Sequence, residues 1–199
     1  MRLPYGRAGL SGVALLAGML FVPARASAEW QIKPFLCVTF DAATTFTLGN
    51  DVGHSRKGVG VSGLLIGEIF GVEADVGHTP DFFGAANGLV LSSGVTTITG
   101  NVVVAAPRHL TRYTLRPYVV GGAGMMRVRI EDILEVLGGD NLPAIDFGGG
   151  VTGFVTTHVG VSWDVRYFRS LGGQPVVGVS IAPEQTSFWR ANMALAIRF

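Results

Sequence analysis

Between Trp189 and Phe199 the chain alternates without a break. Trp189, Ala191, Met193, Leu195, Ile197 and Phe199 fall on one side, and Arg190, Asn192, Ala194, Ala196 and Arg198 on the other. A period of two marks a β-strand with two unlike faces. One row is bulky, apolar and rimmed by aromatics, and the other is small or charged. A soluble barrel would bury its apolar row and show water the polar one. A strand facing lipid inverts that arrangement: bulky residues outside, small and polar ones in the lumen. A strand in lipid also needs partners for every backbone N–H and C=O, so the pattern predicts a closed antiparallel barrel.

The same alternation divides the rest of the chain into further strands. They are expected at Trp30–Phe40, Lys57–Ile66, Ile69–Gly77, Val95–Ala106, Leu115–Val128, Ala144–Phe154 and Val159–Phe168, which with the last strand makes eight. The expected outward rows include Ile32, Leu36, Val38 and Phe40; Val59, Val61 and Leu65; Phe70, Val72, Ala74 and Val76; and Val161, Trp163, Val165 and Tyr167. The fifth strand is apolar on both faces and is phased by Arg116, which should not face lipid. Short connections at Gly67-Glu68 and Thr156–His158 and an intermediate one at Pro107–Thr114 alternate with long ones at Asp41–Arg56, His78–Gly94, Arg129–Pro143 and Arg169–Ser187. Short turns at one end and long loops at the other, with an even strand number, characterise barrels of the bacterial outer membrane. Composition agrees: the chain is 48% hydrophobic, yet beyond its leader no apolar run reaches the about 20 residues of a helical span.

The N-terminus reads as a secretory leader. Arg2 and Arg7 precede the 14-residue apolar stretch Gly9–Val22, and Ala24–Ala28 supplies small-x-small cleavage sites. Cleavage after Ala28 is preferred, with Ala26 as the alternative. Removing residues 1–28 leaves 199 − 28 = 171 residues as one barrel domain, and the loss of three arginines takes the formal charge from +1 to +1 − 3 = −2. No basic stripe or run points to nucleic acid.

With these phases the inward charges are Lys33, Glu73, Asp75, Arg116, Asp146, Asp164, Arg166 and Arg190, four acids and four bases. Charges in a lumen wide enough only for side chains must pair. A neutral ion-pair network and a side-chain-plugged barrel are therefore expected, with a charge-lined narrow pore as the alternative.

Arg116-Pro117-Tyr118 leads a glycine-rich strand, Asp164-Val165-Arg166-Tyr167 lies in the seventh, and Phe188-Trp189-Arg190 leads the last. On these residues and the alternation, the chain from Trp30 to Phe199 resembles the small eight-stranded outer-membrane barrel family, the OmpA/OmpX-like and opacity-type surface proteins. The resemblance implies residence among outer-membrane lipids and roles in envelope structure, adhesion or surface interaction. It also implies uptake by the barrel-assembly machinery. Trp189, Ile197 and Phe199 resemble the C-terminal assembly signal, with Ala194 where that signal often has Gly.

Other motifs carry little chemistry. Gly58-Val-Gly60-Val-Ser-Gly63 matches G-x-G-x-x-G, but no helix is expected after it, so no cofactor is expected and the glycines are read as relief of crowding. His54, His78, His109 and His158 are all expected in loops or turns, without metal-ligand spacing. His78 and Asp81 stand together, but no serine pairs with them as a nucleophile, so lipid-modifying catalysis is the least favoured reading. Cys37, the single cysteine, reads as a packing residue. Ile130, Ile133, Leu134 and Leu137 have helical spacing and predict a short amphipathic loop helix stopped by Gly138-Gly139. Together with Phe82 and Phe83 they form a candidate loop surface for a partner.

Overall fold

The computed structural model describes residues 28–44, 55–82, 90–108, 111, 115–132, 138–171 and 186–199. The strands are β1 (Glu29–Thr44), β2 (Arg56–Ile66), β3 (Phe70–Pro80), β4 (Val90–Ala105), β5 (Leu115–Asp132), β6 (Gly138–Phe154), β7 (Val159–Ser170) and β8 (Thr186–Arg198). Each pairs antiparallel with its neighbour in sequence, and β8 closes on β1, so the sheet is a barrel with no edge. Following paired residues from Trp30 through Leu65, Val72, Val102, Gly121, Phe147, Tyr167 and Trp189 leads back to β1 at Phe40, a stagger of 40 − 30 = 10 residues. Strands closed with such a stagger must tilt to the barrel axis.

The two faces are inverted relative to a soluble barrel. Leu36 and Val119 are each 60% exposed, whereas Lys33 is 2% and Arg166 and Arg190 are 1% exposed. Every strand carries apolar side chains outward. Phe147, Tyr167 and Trp189 meet on the outside at centroid distances of 5.3 and 5.1 Å, forming an aromatic patch near the long-loop end.

The short connections are tight. Gly67 N–H donates to the Phe70 carbonyl at 2.9 Å, so that turn takes in Ile69 and β3 starts one residue later than the alternation suggested. In the β6–β7 turn, Val159 N–H donates to Thr156 Oγ1 at 2.9 Å. At the other end the strands run further than expected: β4 begins at Val90 and β6 at Gly138. Backbone pairing continues there after the alternation of side chains has faded.

This extension overturns the loop helix where it can be compared. Ile130, Glu131 and Asp132 belong to β5, paired with Ser93, Ser92 and Val90, and Gly138 opens β6 opposite Ile130. A two-turn helix is marginal alone, and two strand ladders satisfy its backbone better. Ile133, Leu134, Leu137 and Phe83 lie outside the described residues, as do His54, His109 and all of the leader before Ala28. His78 is likewise a strand residue, facing outward on β3 and hydrogen-bonded to Thr96 Oγ1 at 2.9 Å. The G-x-G-x-x-G glycines lie within the continuous strand β2. A Cβ at Gly60 would overlap the Phe35 ring, so that glycine does relieve crowding, but Gly63 faces open space and crowding does not explain it.

Candidate functional site

Alternation sends one row of every strand into the lumen, and along the axis this interior has three layers. The middle layer is ionic. Arg166 on β7 is its hub: Nη1 lies 2.7 Å from Glu73 Oε1, 3.9 Å from Asp75 Oδ2 and 4.0 Å from Asp146 Oδ2, and Nε lies 2.9 Å from Asp164 Oδ1. Lys33 Nζ reaches the other Glu73 oxygen at 2.7 Å, and Arg190 Nη2 reaches Asp75 Oδ1 at 2.6 Å. Lys33, Glu73, Asp75, Asp146, Asp164, Arg166 and Arg190 are thus joined into one buried cluster from β1, β3, β6, β7 and β8.

Arg116 is not in that cluster. It sits at the second position of β5, and its guanidinium donates to the carbonyls of Ala106, Gly67 and Glu68 at 3.0, 3.1 and 2.5 Å. The inward phase is right but the depth is wrong: at the strand's end a long side chain reaches the carbonyls of two turns. The expected balance of charges shifts accordingly. Four carboxylates face three cations in the cluster, a sum of −4 + 3 = −1.

Neutral donors supplement the cations. Tyr118 Oη donates to Asp164 Oδ2 at 2.8 Å, Asn192 Nδ2 to Asp164 Oδ1 at 2.7 Å, and Arg190 Nη1 to Thr97 Oγ1 at 3.0 Å. The alternation gives Tyr118, Asn192 and Thr97 an inward phase, but they carry no formal charge to mark them as network members. Replacing Tyr118 by Phe keeps the ring and removes a donor to a buried carboxylate. A loss of about 1–3 kcal/mol is expected in urea unfolding of the vesicle-inserted protein.

Towards the long-loop end the lumen is apolar, filled by Phe82, Val95, Met126, Val128, Leu142, Ala144, Phe168 and Phe188. Phe168 and Phe188 stack at 5.2 Å, and Phe82 meets Phe188 edge-on at 5.1 Å. Phe82 is therefore core and not loop surface: it is 3% exposed. Asp81, with φ 49°, turns the chain there, a conformation that Asp tolerates better than bulkier residues. Arg190 joins this layer to the ionic one, its guanidinium lying 4.5 Å from the Phe168 ring and 5.0 Å from the Phe35 ring.

Towards the short-turn end the lumen widens into a cavity of about 660 Å³. Leu64, Ile66, Val103, Ala105 and Tyr118 form its apolar side. Glu29, the cross-strand neighbour of Ile66, stands beside them, paired with Arg108 and, at 3.4 Å, with Arg198. Among the described residues no group of His, Cys, Asp and Glu could hold a metal ion.

The closed eight-stranded barrel has solved counterparts. The fold is that of the small outer-membrane β-barrels. Neisserial surface protein A, NspA, matches with a TM-score of 0.61 at 13% identity, covering 86% of this chain and 97% of its own. The N-terminal β-barrel domain of Pseudomonas aeruginosa OprF matches with a TM-score of 0.53 at 12% identity, covering 86% and 97%. Ail, the attachment invasion locus protein of Yersinia pestis, was solved with the heparin analogue sucrose octasulfate. It matches with a TM-score of 0.51 at 14% identity, covering 86% and 99%. No protein-family model and no curated protein sequence matches this chain.

Proposed function

We propose that this chain, after removal of residues 1–28, is a non-enzymatic surface barrel of the bacterial outer membrane with a plugged, non-conducting lumen. The observation that carries the reading is the stacking of an apolar layer on a buried ionic layer across an eight-stranded lumen. An apolar layer over a paired ionic one in a lumen this narrow supports a plug over a narrow pore. The short turns then face the periplasm and the long loops the cell exterior. Insertion by the barrel-assembly machinery through Trp189, Ile197 and Phe199 belongs to the same reading.

The exterior end is suited to an anionic partner. Lys57, Arg127, Arg129 and Arg169 are all exposed near it, on β2, β5 and β7. Ail, a barrel of this fold, was solved with a sulfated sugar. A sulfated or phosphorylated polysaccharide is the partner class that such cations would hold, in a salt-dependent way. Protein refolded into liposomes tests both parts. It should run as a heat-modifiable band, give no conductance steps across a planar bilayer, and bind immobilised heparin less well after Arg127→Gln with Arg129→Gln. Steady ion conductance by the unmodified barrel would replace the plug with the pore.

A further inference from the structure

The cavity at the short-turn end plays no part in a plug or in loop contacts. Its lining reaches the ionic layer at Tyr118, whose hydroxyl is held by Asp164 and Ser162 and whose ring has Lys33 Nζ 5.3 Å from its centroid. One side is apolar and continuous: Leu64 and Ile66 from β2, Val103 and Ala105 from β4, and the Tyr118 ring from β5. Among the described residues the charged lining is Glu29, Arg108, Arg116 and Arg198, one acid against three bases, a sum of −1 + 3 = +2. Arg198 and Arg108 share the single carboxylate of Glu29, and Arg116 donates to backbone carbonyls while feeling the charges of Glu29 and Glu68. Arg108 is half exposed at the mouth. Gln31, 4% exposed, also lines the cavity, and its Oε1 has no hydrogen-bond partner.

We propose that this cavity binds a small amphiphile of fatty-acid type, with its anionic head at Arg108 and Arg198 and its chain against Leu64, Ile66 and Val103. A site of about 660 Å³ lies within the range of small-molecule sites, commonly about 300–1,000 Å³. Apolar walls with a few convergent charges at one end are what an amphiphile requires. The net positive mouth selects an acid over an alcohol of the same length. The inference rests on the proposed reading only in that the outward face meets lipid and the turn end meets periplasm.

The alternation of the strands provides the test. The protein is placed in nanodiscs of deuterated zwitterionic lipid with labelled Leu, Ile and Val methyl groups and titrated with decanoate, then with decanol. Saturable shifts at Leu64, Ile66 and Val103 are expected, with decanol weaker by about tenfold, the order of one favourable charge contact. Arg108→Gln should weaken decanoate towards the decanol value. Val103→Phe should abolish binding by filling the space, and Arg108→Gln keeps the test decisive should that variant not fold. Shifts confined to the outward Val61 and Val102 would mean partitioning into lipid and would overturn the site, as would equal binding of acid and alcohol. Failure of the chain to enter the nanodisc at all would count against the outer-membrane reading instead.

Discussion

Replacing Arg166 by Met is expected to destabilise the barrel by about 3–5 kcal/mol, the cost of removing one partner from a buried ionic cluster. Arg166 Nη1 approaches carboxylates on two other strands, Glu73 and Asp75 on β3 at 2.7 and 3.9 Å and Asp146 on β6 at 4.0 Å, while its Nε meets Asp164 on its own strand at 2.9 Å. Without it, the cations left in the cluster for four buried carboxylates are Lys33 and Arg190. Met fills much of the volume, so the loss reports on charge more than on a cavity. Urea unfolding in lipid vesicles, followed by the fluorescence of Trp30, Trp163 and Trp189, provides the measurement. Combining the variant with Glu73→Gln should recover part of the loss, because the two side chains are in direct contact. A loss well under about 1 kcal/mol would mean that water screens the cluster as it screens surface pairs. The lumen would then be wet, and the pore reading would gain at the expense of the plug.

The parts of this molecule that the sequence discloses are those that lipid constrains. Along β7 the order Val161, Ser162, Trp163, Asp164, Val165, Arg166 assigns each side chain a face, because a one-residue slip would put Arg166 into hydrocarbon. The same logic placed Lys33, Glu73, Asp75, Asp146, Asp164 and Arg190 in the lumen, where they meet. Phase alone does not give depth. Arg116 has the phase of a network member, yet its place at the start of β5 sends it to turn carbonyls. Beyond the lipid belt the constraint lapses. Ser92, Ser93 and Gly94 show no apolar row, yet β4 runs through them because β5 supplies partners for their backbone. The helical spacing from Ile130 to Leu137 was a real local pattern, but pairing with β4 and β6 outweighs it at Ile130–Asp132. Phe82 misleads for a related reason: an apolar residue in a loop reads as surface until a turn at Asp81 is seen to fold it inward.

Leu36→Arg separates a membrane barrel from a soluble one. On β1 the outward belt runs from Trp30 at the turn end to Phe40 at the loop end, and Leu36 lies between them, 60% exposed and paired with Val59 and Met193. In water, an exposed Leu→Arg change touches no core and should move stability by no more than about 0.5 kcal/mol. In a bilayer the same arginine lies near the middle of the hydrocarbon, where the cost is about 2–4 kcal/mol. Moving the charge outward along the same row should reduce the penalty: Phe40→Arg, nearer the interface, is expected to cost only about 0–1 kcal/mol from the lipid. The comparison is made by urea unfolding in vesicles and by the fraction of heat-modifiable protein after refolding. A penalty at Leu36 that fades at Phe40 is the depth profile of a membrane. Equal, small effects at both positions would place the outward rows in water and leave the inverted faces of this barrel without a physical cause.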